Sequence, residues 1–72
     1  MFESTARGRV ENISDEPVSV SIKITFFSLG EPACDKTVNL GRIEPGQTVR
    51  YAATCLSAIT AADAYTYEII IE

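Results

Sequence analysis

The segment from Pro17 to Ser28 reads PVSVSIKITFFS and alternates between apolar and polar residues as far as Phe26. Its apolar residues share one parity: Val18, Val20, Ile22, Ile24 and Phe26. Successive side chains of a β-strand point to opposite faces, so the extended segment has one apolar and one polar face. In a helix the same residues would be scattered around the circumference, which makes a helix a poor alternative. The chain is therefore expected to build a sheet with one buried face.

Turns that contain glycine or proline divide the rest of the chain into four further predicted strands. These strands span Ser4–Ile13, Ala33–Ile43, Thr48–Cys55 and Ala64–Glu72. Glu44-Pro45-Gly46-Gln47 is typical of a type II turn, and the non-alternating segment Leu56–Asp63 predicts a loop or a short helical turn. In the third strand Lys36 interrupts the apolar parity, which suggests an edge strand. Five short strands of this spacing predict a small all-β sandwich or barrel, with residues 1–72 as one domain.

The chain has 72 residues, which is close to the lower size limit for a self-sufficient hydrophobic core. A core of this size rarely supplies more than about 3–5 kcal/mol of net stability. A covalent staple or a partner is therefore expected.

The six basic and ten acidic residues give a formal net charge of −4. The basic residues are dispersed along the sequence, so we expect no nucleic-acid partner. Lys23 is expected to pair with Glu11 on the polar face of two neighbouring strands. No segment approaches the ~20 apolar residues of a membrane-spanning helix, so no membrane insertion is expected. The N-terminal sequence MFESTARGR does not have the pattern of a secretory signal.

The residue types present give little support to catalysis or metal binding. The chain contains no His, which leaves no base for a nucleophilic Ser or Cys and no partner ligands for a two-Cys zinc site. The adjacent acids Asp15 and Glu16 precede Pro17 and fit a turn better than a catalytic pair. Asn12 begins an N-glycosylation sequon, but we interpret it as a turn residue bonded to nearby backbone. We expect no enzyme activity, no cofactor and no metal.

The two cysteines, Cys34 and Cys55, lie on different predicted strands and share the parity of apolar neighbours. Both side chains are therefore expected to point towards the core. A disulfide between them would close a loop of about 20 residues and contribute about 3 kcal/mol in the chain-entropy model. Two buried free thiols are the alternative, because unpaired cysteine is among the most buried residue types. Parity indicates direction but not distance, so it leaves both alternatives open.

Four residues form a candidate interaction surface. Phe27 and Ile70 are apolar but fall on the polar parity of their strands; if adjacent, they would form a patch for a partner or a second copy. Arg7 and Arg9 face outward on the first strand, where they would hold an acidic partner or simply keep a strand face solvated. The apolar segment Tyr67–Glu72 would add a strand from another chain if it lies at an edge. A homodimer is the preferred partner hypothesis.

Three segments follow the motif order of FxLYD-type domains. Residues 8–18 (GRVENISDEPV) resemble the opening pattern G-x-V-x-N-x-S-x-x-P of that family. Residues 20–26 resemble its second strand, and residues 43–51 (IEPGQTVRY) are similar to its L-x-P-G-x-x-x-x-F segment. At the signature itself this chain reads Phe26-Phe27-Ser28-Leu29-Gly30 and lacks the Tyr-Asp pair.

The resemblance implies an immunoglobulin-like β-sandwich of about five to six antiparallel strands. It also implies an extracytoplasmic bacterial context, in which a disulfide is chemically sensible, and it supplies no active-site residues. We therefore expect a non-enzymatic interaction or spacer module of an extracytoplasmic bacterial protein, which binds through loops or an edge strand. The alternative is a free-standing small protein that binds and regulates another protein by strand addition.

Overall fold

The computed structural model describes residues 2–57 and 61–72, and this part of the chain is all-β. Its five strands are β1 (Phe2–Glu11), β2 (Val18–Ser28), β3 (Glu31–Ile43), β4 (Thr48–Ser57) and β5 (Ala64–Ile71). All five predicted strands are confirmed, as is the small β-sandwich. The described residues include no helix long and apolar enough to cross a membrane.

The strands form two antiparallel sheets. β1 pairs with β4, whereas β2 lies between β3 and β5. Residues Leu29 and Gly30 connect β2 to β3 and have φ angles of 51° and 82°, as the type I′ turn of a tight hairpin requires. The β3–β4 turn is the one predicted: Gly46 has a φ of 79°, and the N–H of Gln47 donates to the carbonyl of Glu44 at 3.0 Å. The turns after β1 and β3 both carry the chain from one sheet to the other.

β2 supplies most of the core because it has a strand on each edge and a second sheet over its apolar face. Ile22 and Ile24 are fully buried, and Phe26 is 1 % exposed. The buried cluster draws on β1, β2 and β4 and consists of Ala6, Ile22, Ile24, Phe26, Ala53 and Cys55. The alternation of the Pro17–Ser28 segment is therefore a correct guide to the buried face.

A β-bulge in β3 changes the side-chain phase of that strand. The register between β2 and β3 shifts there and leaves Leu40 as an extra residue. Gly41 has a φ of 73°, and its N–H donates to Oδ1 of Asn39 at 2.8 Å. After the bulge, Ile43 points into the core and is fully buried, although its parity is opposite to that of the earlier inward residues. Lys36 is exposed and β3 is an edge strand, as the interrupted parity suggests.

β4 continues to Ser57, beyond its predicted end at Cys55. Its last residues pair with the start of β1, where Phe2 lies opposite Ser57. The loop or helical turn predicted for Leu56–Asp63 is therefore wrong at its first two positions, which belong to a strand. Residues 58–60 lie outside the described residues, and residues 61–63 have no regular secondary structure.

The first strand ends at Glu11, earlier than predicted, because Asn12 turns the chain towards the other sheet. The Asn12 side chain is 6 % exposed, and its Nδ2 donates to the carbonyls of Glu16 and Ile43 at 2.8 and 2.9 Å. Its Oδ1 accepts hydrogen bonds from the N–H and the hydroxyl of Ser14 at 3.0 and 2.6 Å. Asn12 thereby ties the β1–β2 turn to the end of β3. The interpretation of Asn12 as a backbone-bonded turn residue is confirmed.

Cys34 of β3 and Cys55 of β4 form a disulfide bond, with their Cα atoms 6.5 Å apart. This bond links one edge strand of the larger sheet to the smaller sheet. Of the two alternatives that sequence parity leaves open, the disulfide is therefore confirmed.

Replacement of Asn12 by Ala is expected to lower the free energy of unfolding by about 3 kcal/mol, because buried carbonyl groups lose their donor. Urea denaturation measures the change. Asn39→Ala is the matched control: it also removes a hydrogen bond to a nearby N–H, but at an exposed site, and should cost less than about 1 kcal/mol. Equal effects of the two substitutions would contradict the structural role of Asn12.

The variant Cys34→Ala/Cys55→Ala is expected to be about 3 kcal/mol less stable than the oxidised wild type. The physical reason is that the disulfide restricts the unfolded chain, so its removal raises the conformational entropy of the unfolded state. Denaturation of the wild type in the presence and absence of a reductant checks the same difference without a substitution. If the reductant shifts the urea midpoint of the double variant as well, the disulfide is not the cause.

Candidate interaction site

The inner face of β5 remains exposed, although it continues the buried face of β2. The two strands are in register, with Tyr65 opposite Phe26, Tyr67 opposite Ile24, Ile69 opposite Ile22 and Ile71 opposite Val20. The four β5 side chains are 44, 61, 46 and 66 % exposed, whereas none of their β2 partners exceeds 3 %. One face of a single sheet is therefore buried at its central strand and open at its edge.

The cause is that a two-stranded sheet covers a three-stranded one. The disulfide holds β4 close to β3, and Ala6 places β1 in contact with the core residues of β2. No strand of the described residues remains to cover β5. Three neighbouring grooves lie between β1 and β5 on this side, and the central one is a cavity of about 420 Å³. We call the free edge of β1 and the inner face of β5 the open side.

The backbone edges of β1 and β5 both border the open side. In an antiparallel ladder, hydrogen-bonded and non-hydrogen-bonded residue pairs alternate. The N–H of Glu72 donates to the carbonyl of Ser19 at 2.9 Å, so even-numbered residues of β5 bond to β2 and odd-numbered ones direct their N–H and C=O groups outward. The N–H of Asn12 donates to the carbonyl of Gln47 at 3.1 Å, which gives the odd-numbered residues of β1 the same outward direction.

Three tyrosines converge in the central cavity of the open side. Tyr51 of β4 lies opposite Gly8 of β1, and its ring crosses β1 at that position. A Cβ at Gly8 would lie 2.6 Å from Cζ of Tyr51, so only glycine leaves room for the ring. Tyr65 and Tyr67 line the same cavity from β5. Burial raises the pKa of Tyr51 above its usual value of 10.0, and the nearby Tyr65 and Tyr67 add to this effect.

The outer face of the small sheet is basic next to the open side. Arg9 lies directly opposite Arg50, with Arg7 on the same face two positions along β1. Among the described residues, none of these three arginines has a carboxylate within ion-pair distance. Although the basic residues are dispersed along the sequence, strand pairing brings Arg50 to the same face as Arg7 and Arg9.

The predicted ion pair of Lys23 with Glu11 is also wrong. Lys23 contacts Asp35 of β3, with Nζ and Oδ2 3.9 Å apart, and it lies opposite Glu68 of β5. Glu11 belongs to the other sheet, where it pairs with Thr48. Consecutive strands β1 and β2 lie in different sheets, so their polar faces point away from each other.

The four predicted interaction residues do not form one surface. Ile70 lies opposite Ser21 and Phe27 lies opposite Ala64, so the two apolar residues occupy opposite ends of the β2–β5 pair. Phe27 is half-buried, and Ile70 is 37 % exposed. Arg7 and Arg9 are exposed on the other sheet, beside the open side. Only the two arginines therefore lie at the site that the fold creates.

Sequence reasoning named Tyr67–Glu72 as a segment for strand addition at an edge, but it gave no sign that the inner face of β5, with Tyr65, Tyr67, Ile69 and Ile71, stays exposed. Their parity is correct, since they share the inner face with the core residues of β2. The number of strands in the opposite sheet decides whether that face is covered, and alternation within β5 carries no information about it.

The described residues contain no group of three or more His, Cys, Asp or Glu side chains that could hold a metal ion. Both cysteines belong to the disulfide. The chemistry that the described surface offers is apolar contact, strand pairing and charge.

Comparisons with family models, with curated proteins and with solved structures give no match for this chain.

The contact between Gly8 and Tyr51 predicts strong coupling between these positions. Gly8→Ala should displace the Tyr51 ring and lower stability by about 1–2 kcal/mol, the usual cost of overpacking. In the Tyr51→Ala background the same change should be neutral or slightly stabilising, because alanine is favoured over glycine in a strand interior. A double-mutant cycle from urea denaturation measures the difference. Additive effects would show that the ring does not occupy the space above Gly8.

Proposed function

We propose that this domain is a non-enzymatic interaction module that binds a partner protein by strand addition at the open side. The observation that carries this proposal is the exposed inner face of β5 beside the unpaired edge of β1. The exposed residues Tyr65, Tyr67, Ile69 and Ile71 are contiguous and belong to a face that is elsewhere buried. Contiguous apolar surface of this kind marks interaction sites in soluble proteins.

An added strand beside β1 satisfies both features at once. Its backbone would pair with the outward N–H and C=O groups of β1, which supply affinity without regard to sequence. Its inward side chains would lie on the tyrosine and isoleucine face of β5, which selects alternating apolar residues. Its outward side chains would lie next to Arg7 and Arg9, which favours acidic residues there. The preferred ligand is therefore an extended segment with alternating apolar and acidic positions.

The cellular context in this proposal is extracytoplasmic. A disulfide in a small domain is typical of exported proteins, because cytosolic thiols are kept reduced. The resemblance to FxLYD-type domains points to the same place and to a module of a larger bacterial protein. The alternative, a free-standing small protein that regulates another protein, would use the same open side.

Selection from a displayed library of extended peptides of about 10 residues, the length of a strand, tests the proposal. Selected peptides should alternate apolar and polar residues. They should bind the variant Tyr67→Lys/Ile69→Lys about 100-fold more weakly, since two buried apolar contacts are lost. Hydrogen exchange should show new protection of the Arg7 and Arg9 amides when such a peptide is bound.

The matched control is Thr66→Lys/Ile70→Lys, which places the same charges on the outer face of β5. Its peptide affinity should stay within about threefold of the wild type. Circular dichroism confirms that both variants remain folded. The proposal is overturned if the selected peptides bind the inner-face and outer-face variants equally well. It is also overturned if no selected peptide alternates apolar and polar residues.

A further inference from the structure

We propose that the open side binds the open side of a second copy of this chain, which forms a twofold-symmetric dimer with two five-stranded sheets. This inference rests on the proposed function, because it names the partner that adds its strand. It also gives the homodimer hypothesis a specific geometry.

The shape of the sandwich is complementary to itself. One layer runs β4-β1 and the other runs β3-β2-β5, with β5 projecting by one strand. Rotation by 180° about an axis parallel to the strands places the three-stranded layer of one copy beside the two-stranded layer of the other. Both layers then contain five strands, in the order β4-β1 followed by β5-β2-β3 of the second copy. The two projecting β5 strands lie face to face at the centre.

The backbone geometry of the two seams is consistent with strand pairing. The start of β1 near Ser4 shares a groove with Tyr65, and the end of β1 near Val10 shares one with Ile69 and Ile71. β1 and β5 therefore run in the same direction, and the rotation keeps that direction, so each seam is a parallel pair. In a parallel strand pair, a residue whose backbone N–H and C=O groups bond across the pair lies opposite a residue whose backbone groups point away from it. Outward side chains of β1 then adjoin outward side chains of β5.

Charge favours the same register. A rotation about an axis parallel to the strands leaves each residue at its own height. Tyr67 and Ile69 line the same cavity as Arg7 and Arg9, so in the parallel register Glu68 of the second copy would lie opposite one of these two arginines on the shared outer face. Both arginines lack an acidic partner among the described residues. Each seam therefore places one carboxylate beside an uncompensated guanidinium group.

The inner face of β5 supplies most of the area that such a dimer would bury. With ~200 Å² for a fully exposed large side chain, the four inner-face residues of β5 would bury about 400 Å² in each copy. The two paired strand edges add backbone and arginine surface to this area. The four side chains alone account for about 800 Å² over both copies, and the strand edges bring the total towards the range of specific interfaces, which begins at about 1,200 Å².

The other twofold arrangement leaves this surface uncovered. Direct pairing of β5 with β5 of a second copy would extend the larger sheet to six strands. The two β1 strands would then be separated by two uncovered strands, whose tyrosines and isoleucines would remain exposed. The burial of the β5 inner face favours the parallel β1–β5 seam over this alternative.

Light scattering coupled to size-exclusion chromatography tests the dimer. Wild type should be dimeric, whereas Glu68→Arg and Arg9→Glu should each weaken the dimer at least tenfold by placing like charges together. The double variant Arg9→Glu/Glu68→Arg should restore the dimer to within about threefold of wild type. Glu31→Arg is the matched control, since it makes the same charge change at the start of β3, away from the open side, and should remain dimeric.

Hydrogen exchange at two protein concentrations identifies the seam. Dimerisation should protect amides of both edges, namely Arg7 and Arg9 of β1 together with Tyr67 and Ile69 of β5. Protection of β5 alone, or no rescue by the charge exchange, would overturn the proposed geometry. A wild type that stays monomeric at about 1 mM would overturn the dimer itself. Peptide binding at the open side decides the proposed function separately, because a strand ligand would bind a monomer as well.

Discussion

The structure depends on the burial of one face of β2. Ile22, Ile24 and Phe26 are buried almost completely, and full burial of each such side chain contributes about 1.5–3 kcal/mol. Burial is complete because β3 and β5 pair with the two edges of β2 while β1 and β4 cover its face. Ala6 and Ala53 in the covering sheet are small, which allows the sheet to approach the large side chains of β2.

The covering sheet has two strands and the sheet it covers has three. Two links hold the covering sheet close to β3. The disulfide joins β4 to β3, and Asn12 ties the turn after β1 to the carbonyl of Ile43 at the end of β3. The uncovered strand is consequently β5 at the opposite edge. Its apolar inner face and two strand edges meet along one side, which concentrates in one place the features that favour association. The proposed partner, whether another protein or a second copy, would complete a layer that this chain leaves incomplete.

Much of the fold was predictable from local pattern. The alternation of β2 identified its buried face, and the Glu44–Gln47 turn has the conformation that its Pro-Gly sequence favours. Predictions failed where they depended on which strands pair in the folded chain and in what register. The Lys23–Glu11 pair assumed that consecutive strands share a sheet, whereas β1 and β2 lie in different sheets. Phe27 and Ile70 share a face but lie far apart along it, because antiparallel register places the end of β2 opposite the start of β5.

The sequence by itself determined which way side chains point within an uninterrupted strand, because such a strand alternates its faces whatever surrounds it. It thereby determined the five strands, the apolar face of β2, the inward direction of Cys34 and Cys55 and the outward direction of Arg7 and Arg9. Only the tertiary structure decided what each face meets. It brought the two cysteines to bonding distance, shifted Ile43 into the core by a bulge and left Tyr67 and Ile69 uncovered. The physical reason is that direction follows from the local backbone, whereas burial depends on how many strands the facing sheet contains and where its connections hold it.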